Sequence, residues 1–171
     1  MVNIIKLMIN LIVAYAKNNV IGNKGLIPWN VPEDQQRFKE ITLGGVLIMG
    51  RRSFEEIYKK FGHGLPGRET IVISTTQNFE GEGFRTVTDF QAALDYARLH
   101  FPEKEVFICG GESVYREAIS RRIVDKMYLT ALDLDVEGDA FFPNFEKKDF
   151  KIIKNQQFND SLPYTFTIYS K

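Results

Sequence analysis

Val46-Leu-Ile-Met-Gly-Arg-Arg-Ser53 is an apolar run, then a glycine, then a polar stretch that opens a helical pattern. The run is apolar on both of its faces, which suits a strand covered on each side. The glycine marks the passage from strand to helix. The same order returns in Val106-Phe-Ile-Cys-Gly-Gly-Glu-Ser-Val-Tyr115. Two such junctions predict βαβ crossovers and a mostly parallel sheet. On either side of these junctions, strands are expected at Met8–Ala16, Val46–Met49, Thr70–Ser74, Glu105–Ile108, Lys126–Leu134, Phe150–Phe158 and Tyr164–Tyr169. Helices are expected at Pro32–Thr42, Ser53–Lys60, Asp89–Arg98 and Ser113–Ile119, the third opening on a capping box of Thr88 with Gln91. The last two strands are joined through Asn159-Asp-Ser-Leu-Pro163 with no helix between them, so they form a hairpin. The expected fold class is α/β: a single-domain open mixed sheet, mostly parallel with an antiparallel C-terminal edge, helices on both faces. In such sheets ligands bind beyond the carboxyl ends of the strands.

With 171 residues, the chain has room for one domain, 1–171, and 44% hydrophobic content suffices for a core. Its 22 Lys+Arg balance 22 Asp+Glu, so it lacks the positive field that general nucleic-acid or anionic-membrane binding requires. Any anionic ligand must be held by a local cluster. A lone Cys109 and two histidines, His63 and His100, exclude disulfide scaffolds and structural zinc, so no metal is expected. Leu7-Met-Ile-Asn-Leu-Ile-Val-Ala-Tyr-Ala16 superficially resembles a short secretory signal. It is too short to span a bilayer, Asn10 interrupts it, and its β-branched residues suit a buried strand.

Several residue patterns bear on chemistry. On the helix from Pro32, positions 31, 34, 38 and 41 share a face holding Val31, Asp34, Phe38 and Ile41, while Glu33, Gln36, Arg37, Lys39 and Glu40 point elsewhere. Asp34 is then either a first-turn acid stabilised by the helix dipole or a desolvated carboxylate suited to proton transfer. The preceding loop, Ile21-Gly-Asn-Lys-Gly-Leu-Ile-Pro-Trp-Asn-Val-Pro32, reads as a lid, and its Trp29 as a core anchor or a wall against water. Arg51 and Arg52 face the positive end of a helix dipole, a placement that makes most sense if an anion binds there with Ser53 as a further donor. The bland alternative is a solvated pair on a turn. Gly110 and Gly111 let the backbone approach a phosphate, or simply form a turn. In Gly64-Leu-Pro-Gly-Arg68 the arginine offers a planar fork to a carboxylate, or lies on a plain surface turn. Cys109 and His63 have no sequence partner for nucleophilic or metal chemistry and read as structural.

In order, these pieces resemble the dihydrofolate reductase family. The match runs from about Leu11 to Tyr169: Ile12-Val-Ala-Tyr-Ala16, Asn19-Val-Ile-Gly22, Leu26-Ile-Pro-Trp-Asn30, Pro32-Glu-Asp34, Phe38-Lys39, Ile48-Met-Gly-Arg51, Leu65-Pro-Gly-Arg68, Ile71-Val-Ile-Ser74, Gly110-Gly111 with Tyr115, Tyr128-Leu-Thr130, Gly138-Asp139 and Phe142-Pro143. The resemblance implies reduction of 7,8-dihydrofolate to tetrahydrofolate by hydride transfer from NADPH, with protonation at pterin N5. It implies a catalytic group of Asp34, supported by Thr130, with Trp29 in the lid. Substrate would be lined by Ile12, Val13, Gln35, Phe38 and Ile57, with Arg68 on its glutamate carboxylate. Arg51, Arg52, Ser53, Ser74 and Thr75 would take the adenine-side phosphates, and Gly110, Gly111 and Ser113 the diphosphate. Ala14 and Ile21 would flank the nicotinamide, and Gly22, Gly50, Cys109, Glu112 and Tyr115 would frame the same cofactor surface.

Some residues depart from the family pattern. Gln35 stands where many members are apolar, Glu112 puts an acid beside the expected phosphates, Tyr58–Gly64 is longer than in the shortest members, and residues 1–8 read as an N-terminal extension. The nearest alternative is the related NADPH reductase of riboflavin synthesis; another is an inactive nucleotide-binding module. A cytoplasmic monomer acting on a small molecule, an antifolate target in one-carbon metabolism, is the implied setting.

Overall fold

Alternating apolar runs and amphipathic segments condense into one α/β domain in the computed structural model, which describes residues 5–171. In chain order the elements are β1 (Ile9–Tyr15), β2 (Val20–Gly22), α1 (Pro32–Thr42), β3 (Val46–Gly50), α2 (Arg51–Phe61), β4 (Glu69–Ile73), β5 (Glu80–Gly81), β6 (Phe84–Val87), α3 (Phe90–His100), β7 (Val106–Ile108), α4 (Glu112–Ser120), β8 (Lys126–Leu132), β9 (Ala140–Phe141), β10 (Lys151–Asn159) and β11 (Pro163–Ser170), with a 3₁₀ turn at Lys147–Asp149. The main sheet has the order β10-β11-β8-β1-β7-β3-β4-β6-β5, and β2 pairs with β9 as a separate ribbon. Pairing is parallel from β8 through β6 and antiparallel at both edges, β11 on β8 and β10 at one side and β5 on β6 at the other.

Strand alternation sorts side chains into two layers. Leu11, Val13, Val46 and Ile48 point toward α3 and α4, where Phe90, Leu94, Val114 and Tyr115 complete one core. Ile12, Leu47, Met49 and Val72 point the other way, toward Phe54 of α2 and Phe38 of α1. Each fully buried side chain of this size contributes about 1.5–3 kcal/mol, so the layers hold the strand ends rigidly. A third cluster, Val31, Leu132, Tyr164 and Phe166, fastens the start of α1 to the C-terminal hairpin.

The hairpin and the bounds of α1 match the sequence reading, while other features differ. β2, β5, β6 and β9 have no counterpart in it, because segments of two to four residues outside a strand-glycine-helix junction are too short for periodicity to register. The cap of α3 is Asp89, whose Oδ1 accepts from the Ala92 N–H at 2.7 Å, and Thr88 lies one residue outside. α2 begins at Arg51 and runs through Tyr58 to Phe61, ending on Gly62 at φ 72°, so the segment read as an insertion is largely helix. Of the N-terminal extension, residues 1–4 lie outside the described residues. Leu7 is buried in the core and the Met8 carbonyl accepts from Val106, so the end of the extension is built into the fold.

Candidate active site

Parallel pairing brings the carboxyl ends of β1, β3, β4 and β7 to one edge, and α1, α2 and α4 start beyond them. A cleft forms there with two unlike walls.

One wall is α1 against β1, β8 and β11. Asp34 lies in the first turn of α1 with its side chain 19% exposed. Its Oδ1 accepts from Thr130 Oγ1 at 2.7 Å and from Arg37 Nη1 at 3.1 Å, and Thr130 comes from the register position beside Ala14 of β1. Burial raises the Asp34 carboxyl above its ordinary value, although the Thr130 and Arg37 hydrogen bonds and the Arg37 charge pull it down. Oδ2 has no partner among the described residues. The sequence reading left Arg37 off the inward face. It is half-buried, its Nη2 donates to the Tyr164 hydroxyl at 3.0 Å, and its guanidinium lies 4.5 Å from the centroid of the Phe158 ring. The clue was its spacing, three residues after Asp34 on a helix.

Apolar side chains continue this wall. Ile12, Phe38 and Ile57 belong to one cluster at the floor of the cleft. Val13 turns its side chain to the opposite layer and offers only main chain here. Gln35 is exposed and donates to Asn30 Oδ1 at 3.2 Å. Trp29 is half-buried against the Val31–Phe166 cluster, so it anchors the lid. Arg68 is 8% exposed and donates through Nε to Pro66 O and through Nη1 to Thr42 Oγ1. Among the described residues it has no carboxylate partner, and burial lowers its proton affinity. A buried guanidinium with donors to spare fits a ligand carboxylate.

The other wall is formed by the starts of α2 and α4. Their N-caps, Gly50 and Gly111, provide no side-chain cap, so first-turn N–H groups of both helices stay available. The two starts touch: Gly50 N–H donates to Gly110 O at 2.8 Å, and a Cβ at Gly50 would lie 3.8 Å from Gly111 N. Gly110, at φ 127°, sits where a Cβ would come within 3.2 Å of Ser53 Oγ, and it precedes a cis peptide to Gly111. Converging uncapped N-termini with no side chain between them fit a dinucleotide diphosphate. Arg52 is exposed and has no ion-pair partner among the described residues, whereas Arg51 Nη1 is held by Glu55 at 2.7 Å. Ser74 accepts from the Thr76 and Gln77 N–H groups, keeping its own proton to donate, beside exposed Thr75. Ser113 is exposed in the first turn of α4.

Three framing residues have other employments. Tyr115 is buried and its hydroxyl donates to Ile12 O at 2.8 Å, bracing α4 against β1. Cys109 belongs to the α1/α2 layer and its thiol donates to Phe107 O, while burial drives its proton affinity far up. Glu112 faces away from the expected phosphates: Oε1 accepts from Phe141 N–H at 2.6 Å and Oε2 pairs with Arg116, so it ties β9 to α4.

That tie matters because β9 holds the lid. Val20 and Gly22 of β2 pair with Phe141 and Ala140, and half-buried Ile21 lies between them, packed against the first core cluster. Asp139 N–H donates to Gly22 O, and its carboxylate accepts from Lys24 N–H at 3.2 Å. Beyond this clasp a tight turn from Asn23 to Leu26 leaves Leu26 and Ile27 58% and 67% exposed, apolar surface at the rim of the cleft. Among the described residues there is no acidic, histidine or cysteine cluster able to hold a metal, and no helix is long and apolar enough to cross a membrane.

Comparison with known proteins adds an independent line. A model of the dihydrofolate reductase family matches residues 8–171. The chain is 41% identical to dihydrofolate reductase type 3 of Salmonella typhimurium over 139 residues, 81% of this chain and 80% of that protein. It is 33% identical to dihydrofolate reductase of Bacillus subtilis over 168 residues, 96% and 95% of the two chains. It is 31% identical to dihydrofolate reductase type A13 of Escherichia coli over 163 residues, 95% and 94%.

Proposed function

This chain belongs to the dihydrofolate reductase family, and from that membership we propose how its own residues divide the reaction. The enzyme is an oxidoreductase of folate metabolism that uses NADPH to reduce 7,8-dihydrofolate to 5,6,7,8-tetrahydrofolate. NADPH supplies, when bound, the hydride that ends on pterin C6.

Asp34 carries the proton side of the chemistry. The observation behind this assignment is a carboxylate enclosed at the foot of the cleft, with proton affinity raised by burial and one oxygen left without a protein partner. Such a group binds the pterin 2-amino and N3 edge by charge-assisted hydrogen bonds and favours protonation at N5 with the help of a water. Thr130 fixes the carboxylate. Ile12, Phe38 and Ile57 hold the flat apolar part of the substrate, Val13 and Gln35 border it, and Arg68 holds the glutamate α-carboxylate. Trp29 and the lid keep solvent from the reacting atoms.

On the other wall, Gly50, Gly110, Gly111 and Ser113 receive the diphosphate at the two helix starts. Arg52, with Arg51, Ser53, Ser74 and Thr75, receives the 2′-phosphate. Ala14, Ile21 and Gly22 border the nicotinamide, and Cys109, Glu112 and Tyr115 support this surface from behind. Holding both rings in register supplies much of the rate, because positioning alone is worth about 7–11 kcal/mol in favourable cases. The protein acts as a cytoplasmic monomer on this small substrate, a reading that rests on its family membership alone.

The test is the fall in NADPH absorbance when dihydrofolate is added, in the native protein and in Asp34→Asn. Oxidation that needs both dihydrofolate and Asp34 supports the assignment. Oxidation with a ribosylated pyrimidine instead would move the chain to the reductase of riboflavin synthesis. Tight NADPH binding with no oxidation would make it a binding module.

A further inference from the structure

Arg37 is enclosed in a way that ordinary helix packing does not require. Its guanidinium lies 4.5, 4.8 and 5.4 Å from the ring centroids of Phe158, Phe166 and Tyr164, and the first and last of these rings stack at 5.0 Å. All three rings come from β10 and β11, more than a hundred residues further along the chain. Aromatic faces and the Tyr164 hydroxyl replace the water that a half-buried cation loses, so the guanidinium is held in one orientation. In that orientation Nη1 reaches Asp34 Oδ1, the same oxygen that Thr130 engages. Both protein donors therefore converge on one oxygen and leave Oδ2 without a partner among the described residues.

We propose that Arg37 is a positioning residue for the reduction: with Thr130 it clamps Oδ1 of Asp34, turns Oδ2 toward the substrate, and holds the carboxylate ionised until substrate arrives. The inference rests on Asp34 as the proton-handling carboxylate. A cation this close opposes the desolvation that burial imposes on Asp34. The other charged or titratable groups around the pair are Glu33 of α1, itself bound to Ser161, Tyr164 of β11, Lys154 of β10 above the Phe166 ring, and Tyr128 of β8. None of them duplicates the Arg37 contact with Oδ1.

The experiment follows the Asp34 carboxyl directly by ¹³C NMR over a pH titration, beside pH profiles of kcat and KM for dihydrofolate. Arg37→Gln should raise the Asp34 midpoint by about one pH unit, as expected for loss of an opposite charge at this distance. The alkaline fall of kcat should move up with it, and KM should rise as Oδ2 loses its orientation. Arg37→Lys keeps the charge without the fork, so the midpoint should return toward the native value while KM stays raised. An unmoved midpoint in a folded, NADPH-binding Arg37→Gln overturns the proposal. If that variant does not fold, Tyr164→Phe, which removes only the Nη2 acceptor, should still move the midpoint upward by a smaller amount. No movement there also overturns it. Undiminished turnover in Asp34→Asn would instead refute the role of Asp34 itself, a failure readable without any Arg37 variant.

Discussion

On the α1 wall of the cleft, Asp34, Arg37, Thr130 and Tyr164 satisfy one another, with one carboxylate oxygen left over. On the α2/α4 wall, two helix starts lack side-chain caps and Arg52 has no ion-pair partner among the described residues. One wall is finished by the protein itself, and the other leaves its donors open for the cofactor phosphates proposed above. Donors left open at a helix start cost little while water reaches them and bind strongly once a phosphate displaces it, so the second wall stores affinity. The first stores orientation. Changes on the two walls should therefore be read out by different measurements.

The largest effect should come from Asp34→Asn. General acid–base groups contribute about 10²–10⁴-fold, and turnover at neutral pH should fall within that range. The NADPH dissociation constant, measured by fluorescence titration, should hardly move. A parallel loss of NADPH affinity would mean that the two walls are energetically coupled.

Arg52→Ala should show the reverse pattern. Loss of one hydrogen bond to a charged group costs about 1.5–3 kcal/mol in NADPH binding, and NADH binding should be nearly unaffected because it lacks the 2′-phosphate. The thermal stabilisation given by saturating NADPH should shrink accordingly. Equal losses for the two cofactors would remove Arg52 from the 2′-phosphate site. Arg51→Ala should do less, because Glu55 already holds that side chain.

Gly138 serves both walls through the lid. A Cβ there would lie 2.3 Å from Val20 Cγ1 and 2.6 Å from Gly22 O, so Gly138→Ala must push β2 away from its clasp. Overpacking of this kind costs about 1–3 kcal/mol, which should appear as a melting point several degrees lower and a modest fall in turnover. An unchanged melting point would mean the ribbon yields freely. The smallest effect concerns Cys109. Cys109 is half-buried, and burial raises the proton affinity of its thiol well above the ordinary range, so it should react with a disulfide reagent much more slowly in the folded protein than after unfolding. Equal labelling rates in the two states would contradict that shielding.

Much of this was legible in the sequence, because the features concerned are local. Pro32–Thr42 announced α1 by period and placed Asp34 inward, and the two strand-glycine-helix junctions announced the passage from strand to helix at α2 and α4. The position of Arg37 was not legible. A guanidinium belongs outside by type, and only rings from β10 and β11 make an inward place for it. Glu112 was placed near phosphates by adjacency, whereas its partner is the Phe141 main chain, 29 residues away. The one-residue error at the α3 cap has a simpler origin: Thr88 and Asp89 are both good caps, and the backbone at Asp89, extended at φ −153°, decides between them. β5 and β6 escaped because Phe84–Val87 gains its strand character from pairing with β4.

The outer rim of the sheet has a consequence for how the molecule behaves beside copies of itself. β10 presents one unpaired backbone edge along Lys151–Asn159, with Ile152 and Ile153 exposed, which is the kind of template on which a neighbouring molecule's strand can grow. Two features blunt it. The register slips between Ile152 and Lys154, so an incoming strand meets a kinked row of donors and acceptors, and Lys151 and Lys154 charge the approach from either side of the isoleucines. A molecule with no net charge to repel its own copies thus carries, at this rim of the sheet, its protection against fibrous association in one irregular strand.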